Sequence, residues 1–182
     1  MESYYPLIIP TKPYIKQYLQ ALYGNPVIFN SSNSLGIILV ALLERPFKSH
    51  KRKDILSFRV FDKFDTPMHT YLPKSWLKNY KYGHTLSDQN IIALNKFFEN
   101  QFEEDLYKAC ELARIYKVEL KKAMEEFCWR HCIEIEEHIS FEALKKKEYR
   151  FRIEQEKQKQ KTLQKHPPPL SRQNFTLLRK IS

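Results

Sequence analysis

A long stretch of helical periodicity, beginning near Ser87, constrains the fold of this chain more than any other feature. Ser87 is a good helix N-cap, and Asp88 beside it suits the positive end of the helix dipole. Apolar residues then recur at helical spacing, namely Ile91, Leu94, Phe98, Phe102, Ala109 and Leu112. The spacing predicts one long amphipathic helix whose apolar stripe is buried against the rest of the chain.

The N-terminal part predicts shorter elements of both kinds. Thr11 can cap a helix over residues 12–23 that Pro13 enters in its first turn, and Gly24 can end it. A short strand is predicted at 27–30, followed by a helix over 34–44 that is stopped by Pro46. Because residues 35–43 are apolar on nearly all sides, we expect that helix to be the most buried element.

Alternating residues over 55–61 predict a strand, and 68–72 are expected to return beside it as a hairpin. Beyond the long helix, an amphipathic helix over 118–132 and a polar turn over 134–139 precede a third helix. Ser140 can cap that helix, with Glu142 in its first turn, and it is expected to end near Lys161. These three elements, a helix, a turn and a helix, follow in the order of a helix-turn-helix motif.

These elements predict an α+β, mainly helical fold. A small α+β body is expected over 1–86, a helical region with a helix-turn-helix-like unit over 87–154, and a basic, flexible tail over 155–182. The tail is placed there because few apolar residues follow Glu154 and three prolines at 167–169 end any helix.

Positive charge is concentrated at the C-terminal end. Residues 141–182 contain 12 Lys and Arg against 4 Asp and Glu, which is +8 of the formal +10 of all 182 residues. Such asymmetry indicates a polyanionic partner: nucleic acid, an anionic membrane or an acidic protein. The alternative is a solvated basic tail that only aids solubility.

The predicted helix after Ser140 has two distinct sides. Phe141, Leu144 and Phe151 share the sector that would pack on the core. The other side and its borders carry the predicted nucleic-acid contacts, Lys145, Lys146, Tyr149, Arg150 and Arg152. A basic loop is expected to add a further phosphate contact through Lys51, Arg52 and Lys53. The turn over 134–139 is acidic and lacks glycine, which departs from the usual helix-turn-helix turn.

The run 139–144, the lysine cluster 145–147 and the segment 149–152, placed after a long helix, resemble uncharacterised helix-turn-helix-type proteins of bacterial mobile elements and prophages. The resemblance covers the final third of the globular part and carries over no functional residue. It implies a DNA-binding regulator or accessory factor of a mobile element or phage.

Other kinds of site are less well supported by the sequence. Cys128, His131, Cys132 and His138 lack the four-ligand spacing of a zinc site, so buried thiols are the better interpretation. Asp54, Asp62 and Asp65, with Lys63, lie on or beside the predicted hairpin, where a metal-dependent nuclease keeps its acidic ligands. Asp62 and Asp65 are better explained as turn residues, so a nuclease is a less favoured alternative. There is no phosphate-binding glycine loop, serine elbow or HExxH helix. We expect no enzyme, metal or cofactor.

Three scattered cysteines predict a reducing compartment, and the start of the chain lacks the pattern of a secretory signal. The longest apolar run, 35–43, is too short to cross a membrane. We therefore expect a cytoplasmic protein that binds DNA or, alternatively, RNA. A different class, a structural or adaptor protein of a phage-like assembly, would dock its basic tail on an acidic protein partner.

Overall fold

The computed structural model of the 182-residue chain describes residues 4–29, 34–43, 64–75 and 86–165. Its elements, in chain order, are β1 Tyr4–Thr11, α1 Pro13–Tyr23, β2 Val27–Ile28, α2 Ser34–Leu42, β3 Thr66–Pro73, α3 Asp88–Ile115, α4 Leu120–Arg130 and α5 Phe141–Lys165. The predicted α+β, mainly helical fold is confirmed.

The three strands form one small sheet in the order β1, β3, β2. β1 runs antiparallel to β3, with Thr11 opposite Thr66, and β2 runs parallel to it, with Val27 opposite Thr70. The strand predicted at 68–72 is confirmed within β3, whereas its predicted hairpin partner at 55–61 lies outside the described residues. The sequence missed β1, whose Pro6 and Pro10 are tolerated because β1 is an edge strand.

Thr11 is not the cap of α1, as predicted, but the last residue of β1. Its buried hydroxyl donates a hydrogen bond of 2.6 Å to the side-chain oxygen of Asn95 on α3. Asn95 in turn donates to the carbonyl of Pro10 at 2.9 Å. The two residues tie the end of the sheet to the long helix. Gly24 does end α1, with φ at +87°.

The prediction that α2 is the most buried element is wrong. Leu35, Leu39 and Leu43 are buried, but Ile37 is 60% exposed. α2 packs on α3 with one side only, so its apolar composition does not translate into burial all round.

α3 is the predicted long helix, and its buried stripe is Leu94, Phe98, Phe102, Leu106 and Cys110. Each four-residue step turns the stripe by about 40° around the helix axis. The stripe therefore winds around α3, which contacts α2 and the sheet near its start and α1, α4 and α5 from its middle onward. Leu112, predicted to be inside, is 55% exposed because it lies nearly opposite Cys110.

The core joins both predicted parts of the chain. Residues from β1, α1, α2 and β3 belong to the same buried cluster as residues from α3, α4 and α5. Two edge-to-face ring pairs at its centre connect α1 to α3 and α3 to α4: Tyr18 with Phe102, at 5.4 Å, and Phe102 with Phe127, at 5.5 Å.

Leu144 seats α5 on this core, so its truncation should destabilise the whole fold. We expect Leu144→Ala to lower the free energy of unfolding by about 2 to 5 kcal/mol, the usual cost of a fully buried leucine. Exposed Ile37 is the control, and Ile37→Ala should change stability by less than about 0.5 kcal/mol. Chemical denaturation measures both, and equal effects would contradict the described seating of α5.

Candidate nucleic-acid interface

The start of α5 is fixed by two side chains. The backbone N–H of Ala143 donates to the Ser140 hydroxyl at 3.2 Å, which confirms the predicted cap. The N–H of Phe141 donates to the carboxylate of Glu136 at 2.9 Å. The predicted turn before the helix is also confirmed, and it is anchored by Ile133 and Ile139, which are buried.

Ion pairs on two sides hold α5 against α3. Lys147 lies 2.6 Å from the carboxylate of Glu103, while the neighbouring Glu148 pairs with Arg114. Glu148 is only 3% exposed. These consecutive residues of α5 reach positions of α3 that are eleven residues, or about 16 Å of helix axis, apart. The sequence had given neither Lys147 nor Glu148 a role.

The rotation of α5 about its own axis agrees with the prediction. Leu144 is fully buried, Phe141 and Phe151 are half-buried, and Lys146 and Arg150 are exposed. The Phe151 ring lies 5.3 Å from the ring of Tyr107 on α3. The side of α5 opposite the core is therefore the side that carries Lys146 and Arg150.

Two of the predicted contacts are already held by acidic neighbours. Lys145 lies 2.9 Å from the carboxylate of Glu142, whose pKa it lowers by hydrogen bonding and by charge. Arg152 pairs with Glu156 at 3.3 Å and with Glu148 at 3.6 Å. Their charges are largely compensated within the protein, which leaves less positive potential for a partner.

The other predicted residues of this helix, Lys146, Tyr149 and Arg150, all lie on its exposed side. Tyr149 is 56% exposed, with the Arg152 guanidinium 5.3 Å from its ring centre. The remaining predicted contacts, Lys51, Arg52 and Lys53, lie outside the described residues.

Two further cations extend the exposed side beyond the predicted site. Lys157 and Lys161 follow Arg150 at steps of seven and four residues, so they share its face. We call Lys146, Arg150, Lys157 and Lys161 the basic ridge. Its first and last residues are fifteen positions apart, or about 22 Å along the axis. Among the described residues, none of the four forms a salt bridge with an acidic side chain.

The helix predicted to reach about Lys161 extends to Lys165, so residues 155–165, which were also assigned to the basic tail, are helical in α5. The spacing of Lys157 and Lys161 was a usable signal, because it continues the register of Lys146 and Arg150. Residues 166–182 lie outside the described part of the chain.

The turn just before α5 is acidic, with Glu134, Glu136 and Glu137 exposed, while in the helix itself the exposed Glu154 and Glu156 lie among the cations. A hydrogen bond and like charge from Glu137 raise the pKa of Glu134, as expected for crowded carboxylates. Acids at the N-terminus and cations toward the C-terminus both suit the helix dipole. A polyanion would meet the ridge and avoid the turn.

The cysteines do not form a metal site. Cys110 and Cys128 are buried in the core, and Cys132 is exposed. His131 instead lies with its Nδ1 2.8 Å from the carbonyl of Phe127. Among the described residues, no group of three or more His, Cys, Asp and Glu side chains could hold a metal ion. Of the acids considered for a nuclease, Asp54 and Asp62 lie outside the described residues, and Asp65 accepts a hydrogen bond from Thr66.

Burial raises the pKa of the Cys110 thiol to about 12 and that of Cys128 to about 11, so neither forms the reactive thiolate near neutral pH. We expect the thiol reagent DTNB to modify Cys132 quickly in the native protein and all 3 cysteines after unfolding. Fast modification of two or more thiols in the native state would contradict the described core.

Comparisons with protein-family models, with curated proteins and with solved structures found no match. Among the described residues, none of the helices combines the length and apolar character needed to cross a bilayer. The interface is therefore interpreted from its own geometry and charge.

Proposed function

We propose that the protein binds nucleic acid through the basic ridge of α5, with duplex DNA as the preferred form. One observation carries the proposal: four cations on a single helix face are exposed and unpaired among the described residues. By contrast, three other cations of α5 are paired with carboxylates: Lys145, Lys147 and Arg152.

The dimensions of the ridge suit a duplex. An α-helix with its side chains is about 10 to 12 Å across, and the major groove of B-DNA is about 12 Å wide. Along its roughly 22 Å the ridge faces many phosphates, since the duplex carries one charge per about 1.7 Å of axis. Tyr149 is placed to contact the sugar-phosphate backbone beside the cations. The deep, narrow major groove of A-form RNA would admit such a helix less readily.

Cations that displace condensed counterions make binding steeply dependent on salt. We expect Lys146→Ala combined with Arg150→Ala to weaken duplex binding and to reduce the slope of log affinity against log salt by about two. The matched control is Lys121→Ala with Lys122→Ala, which removes the same charge from exposed positions on α4. Fluorescence anisotropy at several salt concentrations measures both slopes.

The control should keep the parent slope and lose only a little affinity, because its charges lie away from the ridge. If the two double variants behave alike, binding follows total charge and the ridge is not the contact surface. If the ridge variant binds as the parent does, nucleic acid is not its partner.

A role as regulator or accessory factor of a mobile element or phage is part of this proposal on the resemblance alone. A cytoplasmic location is also proposed, on the basis of the three scattered cysteines. The alternative is an adaptor role, in which the basic tail docks on an acidic protein partner; residues 166–182 of that tail lie outside the described part of the chain.

A further inference from the structure

A groove runs between α3 and α4, on a surface that the proposed function does not use. Its volume is about 220 Å³, and it is open to solvent on one side. An apolar cavity of about 150 Å³ is already large enough to bind a benzene molecule. The groove therefore has room for one aromatic ring with a small substituent.

The lining of the groove is mainly apolar. Leu112, Tyr116 and Val118 contribute large side chains, each of which is about half to three-quarters exposed. The space between the two helices is left unfilled because three lining positions are alanines, Ala109, Ala113 and Ala123. A ligand seated here would cover apolar surface that the protein itself leaves in contact with water, which favours an apolar ligand.

One polar side chain of the lining, that of His131, has a fixed hydrogen-bonding role. Its Nδ1 lies 2.8 Å from the carbonyl oxygen of Phe127. Because a carbonyl only accepts, Nδ1 carries the proton of the neutral ring, and Nε2 is left as a hydrogen-bond acceptor. In the part of the chain that the structure describes, no group donates to Nε2, and the atom is not enclosed. The groove thus offers an accessible acceptor beside an apolar surface.

The orientation of the His131 ring is held by two neighbouring rings. Its centre lies 4.5 Å from the ring centre of Phe127 and 5.1 Å from that of Tyr18. Together with the hydrogen bond to the Phe127 carbonyl, these contacts fix where the lone pair of Nε2 is presented. An acceptor fixed in this way can select a ligand that carries a donor at a matching position.

The charges of the lining cancel each other. Its charged side chains are those of Glu126 and Arg130, and these two form an ion pair. An anion would be attracted by Arg130 but repelled by Glu126, and the reverse holds for a cation. The lining therefore favours a ligand without net charge.

We propose that the groove binds a small, neutral aromatic molecule with a hydroxyl group, that is, a phenol. The ring matches the volume and the apolar lining, and the hydroxyl donates to Nε2 of His131. A tyrosine side chain of another protein has the same chemistry. The free molecule is the proposed ligand because about 220 Å³ is largely filled by one substituted ring, with little lining left for a peptide backbone. Nucleic-acid binding is not required, since the groove lies on a different face.

NMR titration of the isotope-labelled full chain with phenol and with toluene tests the proposal. The two probes share one ring and differ in a hydroxyl against a methyl group. We expect the amide signals of Ala109, Ala113 and Ala123 to shift. Phenol should bind about fivefold more tightly than toluene, which is the usual net contribution of one hydrogen bond. Anisole, whose oxygen has no proton to donate, should bind no better than toluene.

Two variants locate the binding. His131→Phe should abolish the preference for phenol while toluene still binds, because the new ring keeps the apolar contact and accepts no hydrogen bond. Ala123→Leu should abolish binding of both probes by filling the groove. The matched control, Ala41→Leu, makes the same change at an exposed alanine of α2 and should leave both affinities unchanged. Circular dichroism establishes that each variant is folded, and the comparison of phenol with anisole needs no variant.

Several results would overturn the proposal. Toluene or anisole binding as tightly as phenol would mean that the hydroxyl is not recognised. Shifts that persist in Ala123→Leu, or no shifts with any probe, would mean that the groove is not the site. N-acetyltyrosinamide carries the phenolic ring on a peptide unit and should bind no more tightly than phenol; tighter binding would identify a protein as the partner instead.

Discussion

The fold depends on burial of the winding apolar stripe of α3. Phe98 and Phe102 are fully buried near its middle, and the elements on either side contact each other largely through this helix. Because the stripe turns as it advances, α3 contacts α2 and the sheet near its start and α1, α4 and α5 from its middle onward. Losing that burial would separate the basic helix from the body that orients it.

The orientation of α5 follows from how its charges are divided. Glu148 is nearly fully buried, and a buried carboxylate is tolerated only with close cationic partners, here Arg114 and Arg152. On the other side of the sector of α5 that packs on the core, Lys147 contacts Glu103 of α3. These ion pairs fix the rotation of α5 about its own axis. That rotation places Lys146 and Arg150 on the exposed side of the helix. The unpaired cations remain available for a polyanion.

The sequence predicted what depends on local periodicity and capping. The first part of the α3 stripe, from Leu94 to Phe102, the cap at Ser140 and the rotation of α5 are all of this kind. Prediction from the sequence failed where the role of a residue depends on a distant partner. Thr11, for example, contacts Asn95, which lies 84 residues further along the chain. For the candidate site the same limit applies: composition shows how many cations α5 has, but only packing shows which ones are paired. Lys157 was overlooked for another reason: few apolar residues follow Glu154, so residues 155–182 were assigned to the tail.

The central claim is that nucleic acid contacts the ridge and no other basic face of the described body. Amine-reactive footprinting read by mass spectrometry, with and without duplex DNA at low salt, tests it most directly. Lys146, Lys157 and Lys161 should become protected on binding, while Lys121 and Lys122, equally exposed on α4, should react as before. Protection that is equal on both helices, or absent from the ridge, would contradict the claim.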